Sequence, residues 1–454
     1  MKPLVIELND RSLSLARDGV VLVTAPSTIF DGGGTEQAGT NAWHAVRRQP
    51  TTISTRHVGQ VMNHSEISPR SAALFAAELT QHLAKNPAAP DEHVWITAPV
   101  HADANGLGNI LGIVQSLGLT VDGFIDAAAV TVASVKAARS ALVLEMGLHH
   151  AAAAAVDSSG QARRRRAVVS EASGLIELYQ AWLAFISTAM VKRTRFDPFT
   201  NAQTEQQLFD ALPALMRQAA ETGSTTAAVT NGEQRFEVSL TRDQFAEAAQ
   251  QIYRELIRLL HALRPAGAEV TLVLPEAVAA FPGFRELLQQ FIGCELIVVP
   301  EGFAAAATSL LDLPPAEAGE PVRLLRRLPL HEQPSLAEQI AREVLGRSGA
   351  GAAPPSHLLF DGRAIPLSTS SLVVGRSPGN GQALALPDGL AGVSRRHCTI
   401  VRDGTEVVLV DHSHYGTFVN GERVSERVRI HAGDKVRLGE PGVEMSLISI
   451  GEVA

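Results

Sequence analysis

Between Pro314 and Pro355 the chain changes character, and that break decides how it can fold. The stretch holds Pro314, Pro315, Pro321, Pro329 and Pro334, then runs Gly346-Arg347-Ser348-Gly349-Ala350-Gly351-Ala352-Ala353-Pro354-Pro355. Gly, Ala, Ser and Pro at this density have little to bury and read as a linker, which we place at residues 313–355. One short helix is expected inside it, over residues 335–346. Ser335 and Glu338 make a capping-box pair, and Leu336, Ile340 and Val344 recur at every fourth position. The linker leaves residues 1–312 and 356–454 as separate folding problems, in keeping with a length of 454 residues.

The two sides differ in periodicity. After the linker, short apolar runs such as Ser371–Val374, Cys398–Val401 and Glu406–Val410 are split by Gly, Asp and Asn clusters, the pattern of a β-sandwich. Before it, strand-like runs at Leu4–Leu8, Val94–Ala98, Ala141–Leu144 and Val270–Leu274 alternate with helical stretches at Ser71–Leu83, Leu107–Leu117 and Arg242–Leu263, an α/β order. The formal net charge of −8 argues against nucleic acid or an anionic membrane as partner. Two cysteines, Cys294 and Cys398, build neither a disulfide framework nor a cysteine-rich zinc site and fit a reducing compartment. Charges at Glu7, Asp10 and Arg11 cut the N-terminal apolar run short of a signal peptide, and no uncharged apolar stretch is long enough for a bilayer. A cytoplasmic protein is expected.

Four pieces stand out after the linker: Gly375-Arg376-Ser377, Val393-Ser394-Arg395-Arg396-His397, Asp411-His412-Ser413-His414-Tyr415-Gly416-Thr417 and Phe418-Val419-Asn420-Gly421. They gather guanidinium and hydroxyl groups on turns between strands, the set a phosphothreonine dianion wants. Residues 357–454 carry 10 Lys and Arg against 11 Asp and Glu, so any attraction for phosphate is local. In order and spacing these pieces resemble the forkhead-associated (FHA) domain family. The resemblance implies a β-sandwich that reads phosphothreonine through loops at one end. By position, Arg376 and Ser394 would bind the phosphate and Arg395 would add charge beside it. His414, Tyr415 and Asn420 would complete the peptide-binding loops. Gly375 would permit a close approach, His397 would buttress the loop from inside, and Gly421 would shape the following turn. Tyr415 stands where the family often has Asn, and a phenol cannot copy the paired carbonyl and amide of that residue. His412, His414 and His431 lack the spacing of a closed metal site, and surface histidines are expected there.

In the first part, Val94–Pro99, Phe124–Val130, Ala141–Gly147, the turn Asp157-Ser158-Ser159-Gly160, a hairpin around Asn231-Gly232 and the alanine-rich helix after Glu301-Gly302-Phe303 follow one another. That order resembles the nucleotide-binding domain of DnaK-type heat-shock chaperones, within the actin-like ATPase superfamily. The resemblance implies two lobes closing on a central cleft. Three glycine-rich phosphate turns of the superfamily fall here on Glu7-Leu8-Asn9-Asp10-Arg11, on Glu145-Met146-Gly147-Leu148-His149-His150 and on Leu274-Pro275. The adenine clamp falls near Arg217, Ala220 and Glu221. Only glycine lets backbone N–H groups approach a phosphate so closely, and Asp10 sets a negative charge where a phosphate should lie. Glu7, Asp126 and Glu145 fall where the superfamily handles magnesium and water, and a Glu in place of Asp can still bind a hydrated cation.

The expectation is a scaffold or adaptor with no catalytic residue, metal or cofactor. Its first domain would be a nucleotide-free pseudo-ATPase holding other protein subunits, and its FHA domain would capture a phosphothreonine protein made by an upstream Ser/Thr kinase. The alternative is an active ATP-dependent, magnesium-using switch. Three further segments are read as surface features: a loop at Asp31-Gly32-Gly33-Gly34-Thr35, a solvated strand rim at Arg163–Arg166, and an exposed loop with aromatic anchors at Arg193–Phe199.

Overall fold

The computed structural model describes residues 2–330 and 355–448, except 33–37, 64–66, 90–91, 136, 138–139, 172, 265–268, 290–293, 317–320, 361–362, 368–370, 380–382, 388–391, 404–405, 420–421, 425, 431–433 and 440–441. The chain divides into two compact units, Met1–Ala341 and Arg342–Ala454. No described helix is long and apolar enough to cross a membrane.

The strands of the first unit are β1 (Leu4–Leu8), β2 (Ser12–Arg17), β3 (Val20–Pro26), β4 (Ile29–Phe30), β5 (Ile53–Ser54), β6 (Val94–Ala98), β7 (Val121–Asp126), β8 (Ser140–Met146), β9 (Ala151–Asp157), β10 (Gln161–Ser170), β11 (Ser224–Asn231), β12 (Gln234–Thr241), β13 (Val270–Pro275), β14 (Cys294–Val299), β15 (Arg323–Leu325) and β16 (Arg327–Pro329). Twelve of these described strands build two large sheets of the same design, and β4–β5 and β11–β12 form two small two-stranded sheets. One large sheet runs β15-β7-β6-β1-β2-β3 and the other β14-β13-β8-β9-β10-β16. In each, three antiparallel strands in sequence are followed by two parallel strands added beside the first. Parallel strands need both faces covered, and β6 is accordingly buried along its whole length.

Each sheet has its own core. Leu4, Ile6, Phe75, Leu79 and Ile96 anchor the first, where helix Pro69–Lys85 starts with proline in its first turn. Helix Ala104–Ser116 starts at Asp103, whose carboxylate accepts from Gly106 N at 2.7 Å. Trp182, Phe209, Phe245 and Phe281 anchor the second, beneath helices Leu175–Thr194 and Ala202–Thr222. The alanine-rich helix Phe303–Leu310 then returns to pack on β1 and β2, because its small buried side chains permit close contact.

Two expectations change. The linker was placed from residue 313, yet β15 pairs with β7 in the first sheet and β16 with β10 in the second. Val322 and Leu324 pack against the first core, Leu328 is buried, and Pro329 is tolerated because it sits on a sheet edge. The helix expected as one piece over Arg242–Leu263 is two, Arg242–Ala248 and Gln250–Leu263, with a full capping box at Thr241 and Gln244. The helix expected at 335–346 lies outside the described residues.

The second unit holds β17 (His357–Phe360), β18 (Arg363–Pro366), β19 (Leu372–Gly375), β20 (Ala383–Ala385), β21 (Cys398–Asp403), β22 (Glu406–Asp411), β23 (Thr417–Val419), β24 (Glu422–Arg423), β25 (Arg427–Arg429), β26 (Lys435–Leu438) and β27 (Val443–Ile448). Its two sheets, β18-β17-β27-β26-β23-β24 and β20-β19-β21-β22-β25, enclose one core that includes Leu358, Val374, Ile400, Leu409, Leu438 and Leu447. The alternation of these residues along short strands makes the sandwich.

Candidate functional site

At one end of the sandwich the loops after β19, before β21 and after β22 are knitted together by backbone. Arg376 N donates to Ser394 O at 3.2 Å and Ser377 N to Arg395 O at 2.9 Å. The loops lie so close at Gly375 that a Cβ there would stand 2.2 Å from Arg395 O, which only glycine avoids. His397 is fully buried and links two loops. Its Nδ1 accepts from Ser394 N at 3.0 Å, and its Nε2 donates to Gly416 O at 3.1 Å. Those partners fix a neutral ring with its proton on Nε2. Burial lowers the pKa of His397 and favours the neutral ring, outweighing the bond to Gly416 O and the charge of Asp411, which pull the other way.

Ser394 Oγ accepts from His414 N at 3.1 Å, so its own hydroxyl hydrogen is free to turn toward another acceptor. Asp411 sets the neighbouring turn: its Oδ1 accepts from Ser413 N at 2.9 Å and from Thr417 Oγ1 at 2.7 Å. Arg376, Arg395, Arg396 and His414 are exposed here, as is Tyr415, at 56% and edge-on to His414. Among the described residues none pairs with the guanidinium of Arg376, Arg395 or Arg396. The structure thus gathers five of the six expected peptide-loop residues; Asn420, and Gly421 beside it, lie outside the described residues. Two participants carry no motif signal that marks them singly. They are Asp411, which holds the turn, and Arg423, whose guanidinium lies against Gly416. His412 is exposed and its Nε2 lies 2.9 Å from Thr399 Oγ1, while His431 lies outside the described residues. Among the described residues no cluster of three or more His, Cys, Asp or Glu side chains is disposed to hold a metal ion.

In the first unit, the ends of β1, β8, β13 and β14 surround a cavity of about 80 Å³ whose walls include Glu7, Arg11, Glu145, Gly147, His150 and Glu301. Such a volume holds a few waters and falls well short of the roughly 300 Å³ at which small-molecule sites begin. The carboxylates around it are already committed. Glu7 Oε2 accepts from Ala305 N at 2.7 Å and Glu145 Oε2 from Val100 N at 3.0 Å. Burial pushes both carboxyls up to about 7 against the pull of those bonds. Asp126 accepts from Ala129 N at 2.9 Å and pairs with Arg164 Nε at 2.6 Å; burial still raises it above the ordinary aspartate value. Asp10 is 2% exposed and accepts from Leu148 N at 2.8 Å, His149 N at 3.1 Å and the His150 ring at 3.2 Å. Burial opposes ionisation of Asp10, but His150 and the two backbone donors together hold it below its usual value.

Arg11 forks onto Glu301 at 2.7 and 2.5 Å, and Arg164 also donates to Val100 O at 2.8 Å. Sequence reasoning missed both arginines. Arg11 reads as the end of the first phosphate turn and Arg164 as part of a solvated rim, with strand alternation sending two of the four arginines to each face. A register shift in β10 between Arg164 and Arg166 breaks that alternation and leaves Arg164 free to reach the cleft. Beside the cleft lies a larger pocket of about 240 Å³, lined by Trp43, Tyr179, Met216, Arg217 and Phe281 and bordered by the Arg11–Glu301 pair. Of Arg217, Ala220 and Glu221, the residues expected near an adenine clamp, Arg217 lines it. The aromatic anchor expected at Phe196 is half-buried with its ring stacked on Phe236 at 4.1 Å, and Phe199 stays 41% exposed. Of the loop expected from Asp31, residues 33–35 lie outside the described residues.

The FHA domain family matches residues 372–439, a stretch of the second unit that spans the knitted loops. No curated protein matches the chain. Residues 372–439 therefore form an FHA domain, preceded by a mixed α/β unit.

Proposed function

We propose that this chain is a cytoplasmic adaptor: its FHA domain reads a phosphothreonine on a partner protein, and its first unit serves as a platform for other protein subunits. An FHA domain implies recognition of phosphothreonine proteins, and hence a Ser/Thr kinase acting on the partner. The observation that carries the reading is the loop end organised by His397, where half-buried Ser394 lies with exposed Arg376 and Arg395, neither of them paired among the described residues. Arg376 supplies a charge-assisted fork to the phosphate, Ser394 a hydroxyl donor and Arg395 further charge. His414 and Tyr415 lie where the flanking peptide passes. Tyr415 offers a ring face and one hydroxyl in place of an amide, so it favours contact with a peptide side chain over paired bonds to the peptide backbone. The test is a pull-down from cells with the full chain, before and after phosphatase treatment. Loss of partners on dephosphorylation supports the adaptor reading, and unchanged partners defeat it.

The duplicated sheet order of the first unit supports an actin-like, chaperone-type ATPase fold. The cleft residues do not fit a nucleotide's phosphates: Asp10 takes the backbone donors of the 147–150 turn, Glu7 stands nearby, and Arg11 and Arg164 are paired with acids. Unscreened like charge in a partly dry cleft costs a few kcal/mol, enough to remove useful affinity. We therefore assign no enzymatic activity and no cofactor, and treat this unit as a pseudo-ATPase. The pocket of about 240 Å³ favours a second reading, an ATP-dependent switch. Calorimetry with ATP and magnesium decides between them: absence of binding supports the pseudo-ATPase, and micromolar affinity supports the switch.

A further inference from the structure

We propose that Asp10 is a built-in anion that clasps the two halves of the first unit together. Its carboxylate fills an anion-shaped nest of donors on the facing half. Three observations carry this. Asp10 follows β1 in the first half, whereas its partners Leu148 N, His149 N and the His150 ring follow β8 in the second. Successive backbone N–H groups converging on one point make a concavity suited to an oxyanion, and here both carboxylate oxygens sit in it, almost wholly buried. The approach requires a bare backbone at Gly147, where a Cβ would stand 2.2 Å from Asp10 Oδ1 and 2.5 Å from His150 Cε1.

Neighbouring contacts act in the same sense. Glu145 on the second half accepts from Val100 N on the first, and Arg164 on the second reaches Asp126 and Val100 O on the first. His150 is flanked by the ring of His101 at 3.9 Å, which burial and the neighbouring imidazole keep neutral. The ring bonded to Asp10 is thus His150, and that bond raises its pKa above the ordinary histidine value against the opposing effect of burial. This deepens the pseudo-ATPase reading: the glycine that would bring a phosphate close to the turn instead brings in an aspartate, and the platform has one closed shape set by its own sequence.

Asp10→Gly removes the atoms of an acetate ion from the nest, so acetate is the probe. Thermal melts of the full chain are compared in sodium acetate and sodium chloride at equal ionic strength. Asp10→Gly should melt several degrees below wild type in chloride, and acetate should recover at least half of that loss. Wild type and Asp10→Asn, whose side chain still fills the space, should not respond. Equal acetate effects on all three proteins overturn the clasp. Should Asp10→Gly fail to fold, amide exchange in wild type decides: Leu148 and His149 should exchange as slowly as the β8 core, and rapid exchange at these two amides overturns the proposal. ATP titrated into the same wild-type sample separates the two claims, because nucleotide binding defeats the pseudo-ATPase reading whereas a missing acetate response defeats only the clasp.

Discussion

At the scale of single residues, the FHA loops separate groups that would touch a ligand from groups that hold those groups in place. His397 belongs to the second kind. Its two ring nitrogens bond to Ser394 N and Gly416 O inside the fold, so His397→Ala would leave a buried donor and a buried acceptor without partners. The expected cost is roughly 2–4 kcal/mol, read as a lower melting temperature of the second unit, with phosphopeptide affinity falling as a consequence. Unchanged melting would show that the ring is dispensable. Ser394→Ala should behave in the opposite way. Among the described residues the hydroxyl accepts one backbone N–H, from the exposed His414, so stability should fall by under about 1 kcal/mol. Affinity for a phosphothreonine peptide should fall by roughly three- to tenfold, measured by fluorescence anisotropy. The placement of these residues was legible in the sequence because each proposed role demands one residue type at one place: glycine where chains touch, arginine and serine where the proposed phosphate site lies. Asp411 and Arg423 were not legible, since an Asx turn and an arginine laid against Gly416 leave no pattern of their own.

At the scale of elements, periodicity located the main helices and strands of the first unit and failed where composition or long-range pairing decides. The segment 323–329 reads as linker because prolines surround it, yet Leu328 is 3% exposed and β16 closes the edge of the second sheet against β10. Leu328→Ala should therefore destabilise the first unit by about 2–4 kcal/mol, seen in its thermal transition with no change in the second unit. A neutral result would return these residues to the linker. Arg164 makes the same point from the other side. Its register shift in β10 is a property of the pairing with β9, and no run of four arginines announces which one turns inward. The Arg11–Glu301 fork joins residues far apart in the chain, and charge pairing at that separation has no local signature.

At the scale of the whole molecule, the two units answer to different chemistry. The first carries a cleft whose protonation sets its stability. Glu7 and Glu145 have carboxyls raised from 4.5 to about 7, so the folded protein holds protons that the unfolded chain releases. Stability from these groups is complete below their ordinary value and is lost as pH rises through about 7. His150, raised by Asp10 against the opposing effect of burial, acts in the same direction, whereas the lowered Asp10 contributes stability that is lost only in stronger acid. From Glu7, Glu145 and His150 the first unit should lose stability between about pH 5 and about pH 8, while His82, His101 and His149, lowered by burial, act in the opposite direction. Glu145→Gln should therefore lose less stability than wild type over that range, and a melting profile against pH unchanged from wild type would contradict the assignment of Glu145. The second unit carries the central claim, that the loop end around Arg376 reads phosphothreonine. The most direct measurement is binding of the full chain, wild type and Arg376→Ala, to a peptide library built around a fixed phosphothreonine and to the same library with plain threonine. The account predicts binding only between wild type and the phosphorylated library, with Arg376→Ala weaker by about thirtyfold or more at unchanged melting temperature. Equal binding to both libraries, or an Arg376→Ala protein that binds as wild type does, would contradict it.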